Sequence, residues 1–470
     1  MTLALRRAPA RRRAPEVVVC AAAGFTTLLD SSVLNIGLPA LRSALDAEGA
    51  EVQWIFAAYS LTFGLALVPA GRLGDVYGRR RLLLAGMLLF ATMGVCSAVA
   101  PGPWTVIVAR FGQGLGAGMI SAQVLGIIAE RFTGSDRAKA LAAYSTAGGL
   151  AGLCGPLTGG VILSIAPDAV GWRLLLLLNV PFAVLTLLLT VRYLEPDHRE
   201  SGTRTGIDIG GLFLLAVITA LLMFPVVADV PPQVVGSSIV GAGLAIAGFF
   251  WWEKRFATRF GNPVLIPALT RSGGYLLGTL VAMFWFGAVV SLNAVVGLYL
   301  IEGLGYPALY AAVVMSAGSL AMAVASSGGW RIVARVGRGA VAVAVLVELA
   351  VIGGYIGAAQ LAAPIAVFVA LAVVSGLTGG MVDAPNRVLT LESSPPGGHG
   401  VAAGFLQLSQ RLSATVTIAA VSGLYLSALS TDPADFAGAA TAGLIVCGVM
   451  IALSLVLAVA DGRRRAASSS

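Results

Sequence analysis

Several ionisable side chains fall where an otherwise apolar chain should carry none. Asp30 lies in the apolar run 17–41, Arg110 in 104–129 and Glu348 in 339–359, while Asp383 and Arg387 sit at the end of the run 362–385. A charge at the centre of a bilayer costs about 2.5 kcal/mol or more, so such residues persist when they pair, face a cavity or carry a proton or ion. At about 1.5 Å per residue, Asp30 and Arg110, on runs of opposite direction, lie about 16 Å and 9 Å below the same membrane face. Two readings are open: a static buried pair, or a proton site in which Asp30 takes up and releases a proton as Arg110 departs and returns. Glu348 has no basic partner in its run. It reads as a neutral proton carrier, as a hydrogen-bond donor to a cationic substrate, or as an acid bonded to a neighbouring helix. Asp383 and Arg387, four apart, read as a structural pair along one helix. Gln407, Gln410 and Arg411 read as lining for an inner gate, with a snorkelling arginine as the alternative for Arg411.

The elements that position these groups are apolar helices. Of 470 residues 58% are hydrophobic and 11% charged, and the mean hydropathy is +0.91, against about 45–50% and 25% in soluble domains. Runs long enough to span a membrane, about 20 residues each, occur near 17–41, 53–71, 82–100, 104–129, 138–166, 172–192, 208–229, 234–252, 273–300, 307–328, 339–359, 362–385, 400–428 and 437–460, which predicts fourteen helices. The 59 glycines suit close helix packing in lipid. Of the 30 Lys and Arg residues, all but Arg42, Arg110, Arg173, Arg387 and Arg411 fall on one side if the N-terminus is inside. The positive-inside rule then predicts both termini cytoplasmic in the plasma membrane, and an even helix count. The Arg-rich residues 6–13 resemble the start of a secretory signal. The apolar run continues past a signal's usual length to Leu41, so an uncleaved first helix is expected.

The same ledger removes other classes. The excess of +8 belongs to membrane loops facing anionic lipid, with no basic, aromatic-interleaved stretch for nucleic acid. Cys20, Cys96, Cys154 and Cys447 lie in apolar runs, and His198 and His399 stand apart in polar loops, so no metal, disulfide or cofactor is expected. Lys139 and Lys254 are the only lysines and neither sits in a phosphate-cradling Gly-Lys-Ser/Thr element, which excludes a nucleotide-driven pump. The acids are too scattered for an enzyme.

The most concentrated signal is Gly71-Arg-Leu-Gly-Asp75-Val-Tyr-Gly78-Arg79-Arg80-Arg81, a charged turn between two apolar runs. A partial echo, Arg331-Ile-Val-Ala-Arg-Val-Gly-Arg338, follows the tenth run. Corresponding loops divide the chain into a six-helix bundle (1–192), a linker (193–207), two inserted helices (208–252), a second linker (253–272) and a second six-helix bundle (273–470). Gly148, Gly152, Pro156 and Gly160 recur every four residues within 148–160, one face on which a neighbouring helix packs closely.

The Gly71–Arg81 loop resembles the pattern between helices 2 and 3 of the major facilitator superfamily. That resemblance implies an all-α integral membrane fold, a cytoplasmic latch at Gly71, Asp75, Gly78, Arg79 and Arg80, and Glu130 as a further partner. Leu29-Asp30-Ser-Ser-Val-Leu-Asn35-Ile-Gly-Leu-Pro39, Arg110-Phe-Gly-Gln113-Gly114-Leu-Gly116 and Trp172-Arg173 ahead of Asn179-Val-Pro181 are similar to the fourteen-helix drug:proton antiporter branch. Asp30, Arg110 and Glu348 are expected to couple protons and Asn35 and Gln113 to line the substrate cavity, and by the resemblance Gly148, Gly152, Gly155, Pro156, Gly159 and Gly160 form the antiporter motif of helix 5. The expected activity is proton-coupled efflux of amphipathic or cationic drugs or toxic metabolites by a monomer. Export or import of a specific metabolite, lipid or siderophore is the alternative, and a non-transporting sensor a more distant one.

Overall fold

The computed structural model describes residues 13–47, 49–196, 208–227, 230–260, 264, 267–336, 338–394 and 399–469. Expectations for Arg6–Arg12, for most of the 193–207 linker including His198 and Arg199, and for Gly337 lie outside them. Among the described residues there is no strand.

The helices of the first part are α1 (Arg13–Leu45), α2 (Gly49–Tyr77), α3 (Arg79–Ala98), α4 (Pro103–Arg131), α5 (Gly134–Ile165), α6 (Asp168–Leu177) and α7 (Asn179–Tyr193). Then come α8 (Ile209–Val227), α9 (Pro232–Phe260) and the short α10 (Pro267–Arg271). The last part comprises α11 (Gly273–Leu298), ending in a π-helical turn at Tyr299–Gly303, α12 (Ala308–Val336), α13 (Arg338–Gln360), α14 (Ile365–Glu392), α15 (His399–Thr431) and α16 (Phe436–Ser469).

Twelve segments of the described residues are long and apolar enough to cross a membrane, so the chain is a multi-pass membrane protein. The expected fourteen is not reached by that measure. Ile209–Pro225 in α8 is apolar but shorter, and α2 carries Arg72 and Asp75 within its last turns. One expected helix, 172–192, is broken into α6 and α7 at Leu178. Pro181 explains the break: proline has no N–H to donate to the carbonyl four residues back, and its ring crowds that carbonyl. α9 runs on to Phe260 rather than ending near 252.

In the first part α2 packs on α4, α3 on α4 and α7, and α1 on α5 and α7. In the last part α12 packs on α14, and α11 and α13 on α16. Contacts between the two parts run through α5 with α12 and α14, and through α15 with α2 and α4. One apolar core joins the parts at the end of the bundle bearing the Arg79–Arg81 loop, where Leu67, Val68 and Ala70 of α2 and Leu125 and Ile128 of α4 meet Leu391 of α14 and Val401 and Ala403 of α15. Toward the other end α5 and α12 expose Leu157, Val161, Ile165, Leu309 and Val313. The bundle is therefore sealed across its arginine-rich end.

Candidate functional site

Asp30 and Arg110 meet. Arg110 Nη1 donates to Asp30 Oδ2 at 2.7 Å, and the two side chains are 2% and 3% exposed. Gln113 Nε2 donates to Asp30 Oδ1 at 3.0 Å, and Asn179 Nδ2 donates to the same oxygen at 2.8 Å. Gln113 Oε1 accepts from Arg110 Nη1 at 2.8 Å, while Arg110 Nε donates to the Ile55 carbonyl. All partners of the carboxyl are donors, so the arrangement is that of a carboxylate; a proton there displaces at least one of them. Helix geometry explains the convergence. Arg110 and Gln113 are three apart on one face of α4, and the break before Pro181 puts Asn179 at the start of α7, facing α1. The Arg110 guanidinium also lies 4.3 Å over the Tyr59 ring, and the Tyr59 hydroxyl donates to the Thr27 carbonyl at 3.2 Å.

Gln113, expected in the substrate cavity, is placed in this network with both ends of its amide engaged. The Asn35 and Pro156 side chains lie outside what the structure describes. Asn179, named in sequence only as part of the Asn179-Val-Pro181 motif, and Tyr59 complete the cluster, and neither was given a role at Asp30. The available signal was a polar residue two before a proline inside an apolar run, Asn179-Val-Pro181, a pattern that recurs at Asp383-Ala-Pro385.

At the arginine-rich end, Arg79 Nη2 donates to Asp75 Oδ1 and Arg79 Nε to Glu130 Oε2, both at 2.5 Å. Arg80 donates to the Val191 carbonyl at 3.1 Å. Gly78 has φ 101°, a left-handed conformation that bends α2 into α3 and that L side chains rarely adopt. Across the seam, a Cβ on Gly71 would stand 2.6 Å from the Gly400 carbonyl oxygen, and one on Gly400 would stand 2.6 Å from Asp75 Oδ1. Gly400 lies in the first turn of α15, so Asp75 faces the partially positive end of a helix in the other part of the chain. Burial pushes the Asp75 carboxyl up to about 6, against the opposing pull of Arg79 and Arg72.

The glycines of α5 divide between two neighbours. A Cβ on Gly148 would meet Leu28 and one on Gly155 would meet Ser32, both of α1, whereas Gly149 and Gly152 abut Ser319 of α12. Gly159 is buried, and Gly160 faces open space. The four-residue track expected to serve a single helix is thus split, because α5 is wedged between α1 and α12. Asp383 and Arg387 form their expected pair at 2.9 Å. Ser145 of α5 also donates to Asp383 Oδ2 at 2.8 Å, which makes the pair a bond between the two parts of the chain. Glu348 is fully buried between α13 and α14. It accepts from Ser375 at 2.7 Å and from Thr378, so its contacts are those of an acid bonded within one part of the bundle. Arg411 does not snorkel: its guanidinium lies 4.3 Å over the ring of Phe63 in α2.

The chain belongs to the Major Facilitator Superfamily, whose signature matches residues 20–417. It is 33% identical over 321 residues to the "Probable actinorhodin transporter" of Streptomyces coelicolor, covering 67% of this chain and 55% of that protein. It is 31% identical over 325 residues to the "Puromycin resistance protein pur8" of Streptomyces alboniger, covering 68% and 62%. The chain thus spans little more than half the length of the curated relatives it matches. A solved structure of the proton:xylose symporter XylE superposes with a TM-score of 0.69 at 15% identity over 95% of both chains, a likeness of fold.

Proposed function

We propose that the chain is a proton-coupled exporter that moves amphipathic drugs, antibiotics or toxic metabolites outward in exchange for protons. The observation that carries this reading is the buried Asp30 carboxylate, held by donors on two other helices of the same half. Protonating Asp30 releases Arg110 toward Tyr59 and Gln113, and reionisation draws it back, so proton binding changes how α1, α4 and α7 are tied. α5 transmits the change, because its glycines touch α1 on one side and α12 on the other. Relatives named for export or resistance support the direction of transport.

In this reading residues 1–192 and 273–470 are the two moving halves and the helices between them are an insertion. The protein sits in the plasma membrane as a monomer with both termini cytoplasmic, as the arginine distribution predicts. The Gly71–Gly400 contact and the Asp75–Arg79–Glu130 cluster then form a closed cytoplasmic latch, and the described state is open outward. Proteoliposomes with an imposed pH gradient test the proposal: a panel of amphipathic antibiotics should elicit substrate-dependent proton flux that Asp30→Asn removes. Flux unchanged by Asp30→Asn, or no flux with any compound, sinks it.

A further inference from the structure

Among the described residues the acids of the membrane interior are all engaged. Asp30 is occupied by Arg110, Gln113 and Asn179, Asp383 by Arg387 and Ser145, and Glu348 by Ser375 and Thr378. Arg411 is the cation left over. It lies twelve residues into α15, about 18 Å from the arginine-rich end at 1.5 Å per residue. Among the described residues its guanidinium has no carboxylate partner and no hydrogen-bond acceptor, only the Phe63 ring. Its surroundings are aromatic and cationic. Tyr59 and Phe63 are 6.0 Å apart, Tyr59 and Tyr144 lie within electrostatic reach of Arg411, and so does Arg387, which itself sits 5.7 Å from the Tyr144 ring. Two buried polar atoms beside it also lack partners, Arg387 Nη1 and Gln407 Oε1. Gln407 is one turn from Arg411 on the same face of α15.

Resting on the export reading above, we propose that Arg411 is the subsite for an acidic group, a carboxylate or ionised phenol, on a planar aromatic substrate. The guanidinium fork suits an anionic oxygen pair. The rings of Tyr59, Phe63 and Tyr144 suit a flat aromatic body, and the amide oxygen of Gln407 accepts from a hydroxyl. The uncompensated charge at Arg411 is thus matched by an anionic cargo and not by a cationic one. The same column joins cargo to proton, because Arg110 stacks on Tyr59, Tyr59 contacts Phe63, and Phe63 carries Arg411. An acid that draws Arg411 off Phe63 therefore frees the ring pair against which Arg110 rests.

The test uses the purified full chain in nanodiscs with a matched pair of fluorescent probes, anthracene-9-carboxylate and its methyl ester. A charge-assisted bond predicts that the acid binds about tenfold to a hundredfold more tightly than the ester. Arg411→Gln should bring the ratio to about one by weakening the acid alone, and Arg411→Lys, which retains charge without the fork, should leave an intermediate preference. Equal binding of acid and ester, binding of neither, or a preference that survives Arg411→Gln overturns the proposal. Should the Gln variant fail to fold, a full preference in the Lys variant overturns the fork-specific role. Binding needs no gradient, so a chain that prefers the acid yet shows no proton flux overturns antiport and leaves the subsite standing.

Discussion

Among the described residues two acid–arginine pairs have both members buried, one in the first part of the chain and one in the last, and they are built differently. Asp30–Arg110 joins two helices of the first part of the chain, with a third helix contributing Asn179. Asp383–Arg387 lies along a single helix, and its outward bond goes to Ser145 of α5 in the first part of the chain. A pair whose partners sit on separate helices of one half turns protonation into a change of helix packing. A pair within one helix cannot be pulled apart by helix motion, so parting α14 from α5 would cost it the Ser145 bond. The first is thus suited to sensing a proton and the second to bracing a closed interface.

The largest expected effect comes from the first pair. Asp30→Asn keeps the shape and removes the charge, and coupled flux in proteoliposomes should fall to the uncoupled background. Asp383→Asn should instead lower the transport rate while leaving protons moved per substrate unchanged. Equal loss of coupling in both would erase the distinction between the pairs. Next, Asp383→Ala strands a buried guanidinium, which costs about 3–5 kcal/mol. Asp383→Leu combined with Arg387→Met should recover most of the thermal stability lost in either single variant, as read by melting in detergent.

Asn179→Leu removes one donor from Asp30, worth about 1–3 kcal/mol. The expected outcome is a roughly tenfold change in the proton concentration that half-saturates transport, with the folded yield unaltered. Gly71→Ala places a methyl against the Gly400 carbonyl at a cost of about 1–3 kcal/mol, so distances between spin labels on Lys139→Cys and Arg271→Cys should lengthen. The smallest effect is on pH. The Asp75 carboxyl, raised to about 6 when latched, is ordinarily a stronger acid near 3.9, so its ionisation opposes the latch above about pH 6. That opposition fades as pH falls through 6 toward 4. The label distances should accordingly shorten on acidification, and Asp75→Asn should flatten the response.

Much was legible along the chain. Twelve of the fourteen expected runs, the loop Gly71–Arg81 and the lone acids announce themselves because hydrocarbon tolerates so few polar groups that each stands out. Other features were read incompletely. Asp383–Arg387 looked like a local pair because four-residue spacing is visible in sequence, whereas Ser145, 238 residues away, is one serine among many. The α5 glycines looked like a track for one helix because periodicity shows a shared face but not how many neighbours share it.

Local chemistry and run length alone set which segments are apolar, which residues are ionisable within them, and where glycine and proline permit bends. That Asn179 and Gln113 converge on Asp30, that Glu348 is held between α13 and α14, and that Arg411 rests on Phe63 emerge from the packing of the helices. Helices in lipid are apolar on nearly every face, so no amphipathic stripe marks the face that meets a neighbour. Which side chains touch is settled by close packing among distant segments of the chain.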